Sequence, residues 1–153
     1  MGLKLAKMEI EYFRSFHDVQ FDVGRKITAI SGQNGVGKSN IASLIASGSG
    51  LSKKGELGSN FQPEFSDFFN VESTENFTEY KLFLTYKEDG REGTVLKRLS
   101  FKDDTATNRG IRIIPRTSNR DMTGIGSKEA ERMAKDTFGV GGAARVPIPT
   151  IYL

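Results

Sequence analysis

Residues 32–39 read Gly32-Gln33-Asn34-Gly35-Val36-Gly37-Lys38-Ser39, and they satisfy the pattern G-x-x-x-x-G-K-[ST] at every defined position. The flanks supply the context that the pattern needs. Ile27-Thr28-Ala29-Ile30 is a short apolar, β-branched run of the kind that forms a buried strand, continuing to Ser31. From Asn40 to Ser47, Ile41, Leu44 and Ile45 recur at i, i+3 and i+4, the spacing of a helix. The chemistry follows from residue type. Gly32, Gly35 and Gly37 let the backbone take positive φ and turn its N–H groups inward. Those donors and the positive end of the helix dipole make a cradle for an anion. Lys38 is placed to reach the β- and γ-phosphates of a bound ATP, and the Ser39 hydroxyl to hold its Mg²⁺. The candidate nucleotide contacts are Gly32, Asn34, Gly35, Val36, Gly37, Lys38, Ser39 and Asn40.

Length and composition bound the rest. A chain of 153 residues suits one domain with a sizeable core, and 37% hydrophobic with 27% charged residues is a globular balance. A net charge of +3 permits a polyanionic partner without requiring one. Absence of cysteine excludes disulfides and thiolate metal sites, and a single histidine excludes a His-rich one. No apolar run reaches the roughly 20 residues that span a bilayer, and Met1 to Ala6 has no signal-peptide core. These features lead us to expect a soluble, cytoplasmic protein.

Along the chain, Leu3 to Phe13 alternates Met8, Ile10 and Tyr12 against Lys7, Glu9 and Glu11, which predicts a strand. Arg14 to Asp18 reads as a turn and Val19 to Val23 as a second strand. Gly48 to Pro63 is a polar, Gly/Ser-rich loop. Phe65, Phe68 and Phe69 have the spacing of one helical turn that buries aromatics. Thr78 to Tyr86, with Tyr80, Leu82, Leu84 and Tyr86 on one face, and Thr94 to Phe101 flank Glu88-Asp89-Gly90 as a hairpin. Ile111 to Ile114 suggests a further strand. Ser127 reads as the N-cap of a helix running to about Thr137, with Ala130, Met133, Ala134 and Phe138 on one face and Gly139 ending it. Strands before the glycine loop and a hairpin after its helix predict a mixed sheet with an antiparallel part.

The loop resembles the G-x-N-G-x-G-K-[ST] form of ABC-type ATPases. The upstream Ile10-Glu11-Tyr12-Phe13-Arg14-Ser15-Phe16 resembles the opening strand and turn of the RecF/SMC/Rad50-like group. ATPases of overcoming-lysogenization-defect and phage-defence systems open in the same way. The resemblance covers about the first 48 residues and beyond them is architectural. It implies an α/β P-loop NTPase fold, an ABC-ATPase-like lobe that dimerises head to tail around two ATP molecules and acts on DNA. It places Arg14 and Ser15 near the nucleotide and makes Gln62, before Pro63, a candidate for the glutamine that approaches the metal beside Ser39.

Three hallmarks of that group are not found in the sequence. No apolar run ends in Asp-Glu: Leu82-Phe83-Leu84 leads into Thr85-Tyr86-Lys87, and Glu88-Asp89 falls in a turn. No Leu-Ser-Gly-Gly-type signature occurs, since Gly139-Val140-Gly141-Gly142 lacks the serine, and no switch histidine follows. Residues 1–153 are therefore expected to be the N-terminal portion of an ABC-type ATPase domain, unable to hydrolyse ATP well alone, with no catalytic residue in this chain. A nucleotide-sensing module that binds ATP without hydrolysis is the rival reading, and a small-molecule phosphotransferase a third. Arg109, Arg112, Arg116 and Arg120 suit either nucleic-acid phosphates or a solvated basic face. Asp121-Met122-Thr123-Gly124 matches D-x-x-G without its preceding apolar strand, and His17 stands alone.

Overall fold

The computed structural model describes residues 3–24, 28–29, 38–49, 53–54, 60–61, 64–72, 74–104, 106, 110–140, 142–143 and 145–146. Five strands, β1 (Lys4–Phe13), β2 (Phe16–Asp22), β5 (Lys81–Lys87), β6 (Val95–Asp103) and β7 (Ile111–Thr117), form one sheet in the order β2-β1-β5-β6-β7. Between β2 and β5 lie helix α1 (Lys38–Gly48), the two-residue strands β3 (Lys53–Lys54) and β4 (Asn60–Phe61), the short helix α2 (Phe65–Phe68) and a 3₁₀ turn (Phe77–Glu79). Helix α3 (Ser127–Phe138) follows β7. Every pairing in the five-stranded sheet is antiparallel. The antiparallel part of the predicted mixed sheet is thus in place. Of the buried strand read over residues 27–31, Thr28 and Ala29 are described, and they are exposed and belong to no strand, with the Thr28 hydroxyl accepting from Gly24 N–H at 2.6 Å; the other three positions lie outside the described residues.

The alternation of apolar side chains dictates which face is buried. Met8 and Ile10 of β1, Leu82, Leu84 and Tyr86 of β5, and Val95, Leu99 and Phe101 of β6 all point inward and are buried. Each such Leu or Phe contributes about 1.5–3 kcal/mol relative to leaving it in water. Two helices cap this face. Leu44 of α1 and Phe65 of α2 are fully buried in the same cluster. One end of the core is aromatic: Phe65 stacks on Phe69 at 4.6 Å, Phe13 meets Phe69 and Phe101 meets Phe65 edge-on, and Tyr80 packs on Phe13 and Phe101. The aromatic turn predicted at Phe65, Phe68 and Phe69 therefore packs the core, with Phe65 and Phe69 buried and Phe68 half-buried.

Several local expectations need correction. The turn after β1 is only Arg14-Ser15; Phe16, His17 and Asp18 already belong to β2, because Phe13 pairs with Phe16 and Tyr12 with His17. His17 is exposed and its ring stacks on Tyr12 at 4.9 Å. In β1 the alternation slips: Tyr12 is half-buried and Phe13 fully buried. A register shift against β5 between Ile10 and Tyr12 re-aims the end of the strand, as a bulge does. Thr78 and Tyr80 precede β5 rather than opening it. The N-cap position of α3 is Gly126, not Ser127, and it carries no side-chain cap. The Gly126 carbonyl instead accepts the first helical bond, from Ala130 N–H at 3.0 Å. Ala130 and Ala134 are buried as expected, but Met133 is 40% exposed. Gly139 ends α3 as predicted: φ is 74°, its N–H bonds Lys135 O at 2.9 Å, and Val140 N–H reaches Ala134 O at 3.4 Å.

One charge is built into the interior. Lys97 faces inward on β6, is 1% exposed, and donates to Thr117 Oγ1 at 2.9 Å and to Gly142 O at 3.2 Å. Thr117 N–H and hydroxyl donate to the same carbonyl, at 3.1 and 3.4 Å. The segment after α3 is thus fastened to β7. Burial pushes the Lys97 ammonium down to about 8, with Glu131 partly opposing the shift.

Candidate nucleotide-binding site

Helix α1 begins at Lys38, inside the glycine-lysine-serine end of the motif. Its first N–H groups have no intrahelical acceptor, and with the dipole they favour an anion at that end. Ser39 is exposed and Asn40 half-buried in this first turn, so the Ser39 hydroxyl is free to meet a hydrated Mg²⁺. Serine oxygen is a suitable hard donor for that ion. Gly32, Asn34, Gly35, Val36 and Gly37 lie outside the described residues, as does Gln62.

The anchoring of α1 differs from the sequence reading. Of the predicted stripe, Leu44 is fully buried, whereas Ile41 and Ile45 are half-buried. The buried face is completed by Ser43, Ala46, Ser47 and Gly48. These small residues let the helix lie close on the sheet. A Cβ built on Gly48 would stand 2.8 Å from a Leu99 methyl and 3.2 Å from one of Leu84. The buried Ser47 hydroxyl donates to Ser43 O at 2.8 Å, a helical neighbour. Ser49, just past the helix, shares a 2.8 Å hydrogen bond with the Tyr86 hydroxyl. Burial pushes that phenol up to about 12, despite the serine. The C-terminal end of α1 is therefore held rigidly from β5 and β6, and its N-terminal end is presented outward.

Arg14 and Ser15 occupy the tight turn between β1 and β2. Ser15 is exposed. Arg14 has φ 53°, a left-handed conformation that costs a non-glycine residue about 1 kcal/mol. Its side chain offsets that cost. Nε donates to Glu75 at 3.0 Å, Nη2 donates to Asn70 O at 2.6 Å, and the guanidinium lies 5.2 Å from the Phe69 ring centroid. Tyr80 donates a short hydrogen bond to the same Glu75 carboxylate. Burial alone would raise the Glu75 carboxyl, but the bonds from Tyr80 and Arg14 and the Arg14 charge hold it below its ordinary range. Tyr80 is pushed up to about 12 by burial and by Glu75. Glu75, 61 residues beyond Arg14, went unrecognised in the sequence because a lone glutamate in a polar loop carries no local signal.

Glu88 and Asp89 sit at the β5–β6 turn, where Asp89 pairs with Lys4 at 2.8 Å and Glu88 with Arg91 at 3.3 Å. Glu88 is thus engaged within the hairpin, and Asp89 with the first residue of β1. Among the described residues no helix is long and apolar enough to cross a membrane.

An antiparallel sheet with a docked helix that starts at Lys38 of the motif makes a mixed α/β domain. Residues 7–140 match the family model for the AAA domain. With most of its length matched, the chain belongs to that family of AAA-type P-loop ATPases, to which SMC/Rad50-like proteins also belong. No curated protein and no solved structure matches it.

Proposed function

We propose that this chain is the ATP-binding lobe of a RecF/SMC-like ATPase that acts on DNA, in repair or in anti-phage defence, and that ATP gates its dimerisation. The observation that carries the ATP reading is that helix α1 starts at Lys38, inside the motif, with Ser39 exposed on its first turn and its other end packed on the sheet. Residues 32–39 would wrap the triphosphate, with Lys38 against the β- and γ-phosphates. Ser39 would hold Mg²⁺, with Gln62 nearby. Bound Mg²⁺ supplies charge neutralisation on the phosphates. Arg14, held by Glu75 through Nε, and Ser15 would lie near the nucleotide.

Calorimetry with Mg-ATP on the wild-type chain and on Lys38→Ala tests this reading. Saturable binding that the variant loses supports it. Absence of heat from a folded wild-type sample would sink it. Light scattering with and without Mg-ATP, alongside phosphate release, separates the rival: a nucleotide-driven change of oligomeric state with no turnover by the complete protein marks a sensor rather than an ATPase.

A further inference from the structure

The outer face of the sheet is divided by charge. One cross-strand row runs Gln20, Glu9, Phe83, Arg98, Arg116 across all five strands. On the β1 side the carboxylates are neutralised. Glu9 meets Arg120 at 2.6 Å and Lys7 at 3.9 Å, and Glu11 meets Lys81 at 3.2 Å. Arg120 also lies flat over Phe83, 4.2 Å from its centroid, which leaves that aromatic only 2% exposed. On the β6–β7 side the pattern reverses. Arg98 stands directly opposite Arg116, and Lys102 directly opposite Arg112. Among the described residues Arg98, Lys102 and Arg116 have no ion-pair partner, and all three are exposed. Arg112 alone reaches a carboxylate, Asp104 at 3.4 Å.

Like charges directly opposite one another destabilise a sheet, so these pairs contribute nothing to the fold that neutral residues would not. We propose that this β6–β7 face, with Arg98, Lys102, Arg112 and Arg116, is a docking surface for the phosphate backbone of a nucleic acid. It rests on the DNA reading above for the choice of polyanion and adds the place of contact. The two cationic pairs are about 13 Å apart along the strands, from a rise of roughly 3.4 Å per residue. A duplex carries one charge per 1.7 Å or so of its axis, so several phosphates face a patch of this length at once. Backbone contact of this kind fixes position without reading sequence. The arginines grouped in the sequence divide accordingly: Arg112 and Arg116 join the patch, Arg120 is engaged with Glu9, Asp121 and Phe83, and Arg109 lies outside the described residues. Arg98 and Lys102 arrive from the neighbouring strand.

The test is fluorescence anisotropy of the complete 153-residue chain with a labelled random-sequence duplex, across a salt series, with and without Mg-ATP. Arg98→Glu combined with Arg116→Glu should weaken binding at least tenfold and lower the slope of log K against log salt by about 2. Circular dichroism checks its fold, and Arg98→Gln with Arg116→Gln serves if the reversal does not fold. Lys128→Glu with Lys135→Glu, an equal change of charge on exposed positions of α3, should alter affinity less than about threefold. If the wild type binds DNA and the sheet variants bind equally well, or if the α3 control loses as much, the surface is wrong while the DNA reading stands. If the wild type binds Mg-ATP but no duplex, the DNA reading falls and takes the surface with it. Binding to phosphatidylserine vesicles in preference to DNA, lost in the same variant, would replace the nucleic acid by a membrane.

Discussion

The glycine motif and the five-stranded sheet are specified in opposite ways. Eight contiguous residues, Gly32 to Ser39, carry the proposed anion chemistry, and nothing distant is needed to recognise the motif. The sheet row Gln20–Glu9–Phe83–Arg98–Arg116 takes one residue from each of five strands, and its meaning exists only once the register is formed. Helix α1 joins the two regions. Its first turn begins at Lys38 and exposes Ser39, and its last turn packs on Leu84 and Leu99. Function and stability should therefore separate along this helix.

The largest separation is expected at Leu84, which is fully buried where α1 meets the sheet. Leu84→Ala should cost about 3–5 kcal/mol in denaturant unfolding, and ATP binding should fall only as far as the folded fraction does. If binding were lost in a fully folded sample, the two regions would not be separable. Lys38→Ala should do the reverse, weakening ATP binding by about a hundredfold, roughly 2.7 kcal/mol, with the melting temperature unmoved.

Lys97 sharpens the comparison through pH. Its folded-state value, about 8, is below the ordinary 10.5. The unfolded chain therefore holds more protons between those values, and stability should rise with pH across that window, by up to about 3 kcal/mol. Above pH 10 the buried phenol of Tyr86, pushed up to about 12, works the other way: the unfolded state ionises first and stability falls. Melting curves from pH 7 to 11 on the wild type and on Lys97→Met check this, and the variant should lack the rising limb. The smallest effect is local. Gly139→Ala, at φ 74°, should cost about 1 kcal/mol, with no change in nucleotide affinity.

Much of the scaffold was legible from periodicity. The hairpin of β5 and β6, the inward set Leu82, Leu84 and Tyr86, and the glycine stop at Gly139 all follow from spacing and turn chemistry. Where the reading failed, a long-range contact had overridden a local rule. Phe13 displaced Tyr12 from the core because β1 shifts register against β5. Met133 sits at a helical position that its neighbours cover only in part, leaving it 40% exposed. The close docking of α1 through Ser43, Ser47 and Gly48 was invisible because small residues add little to an apolar stripe; their value lies in what they let approach.

The motif at 32–39, the phosphate and magnesium chemistry proposed for it and the likeness to P-loop ATPases could all be read from adjacent residues, because backbone donors, a lysine and a serine lie within one short stretch of chain. The engagement of Arg14 with Glu75, the interior ammonium of Lys97 and the charge division of the outer face were settled only when distant strands came into register. Electrostatic partnership depends on distance in space, and a linear string of residues does not contain that distance.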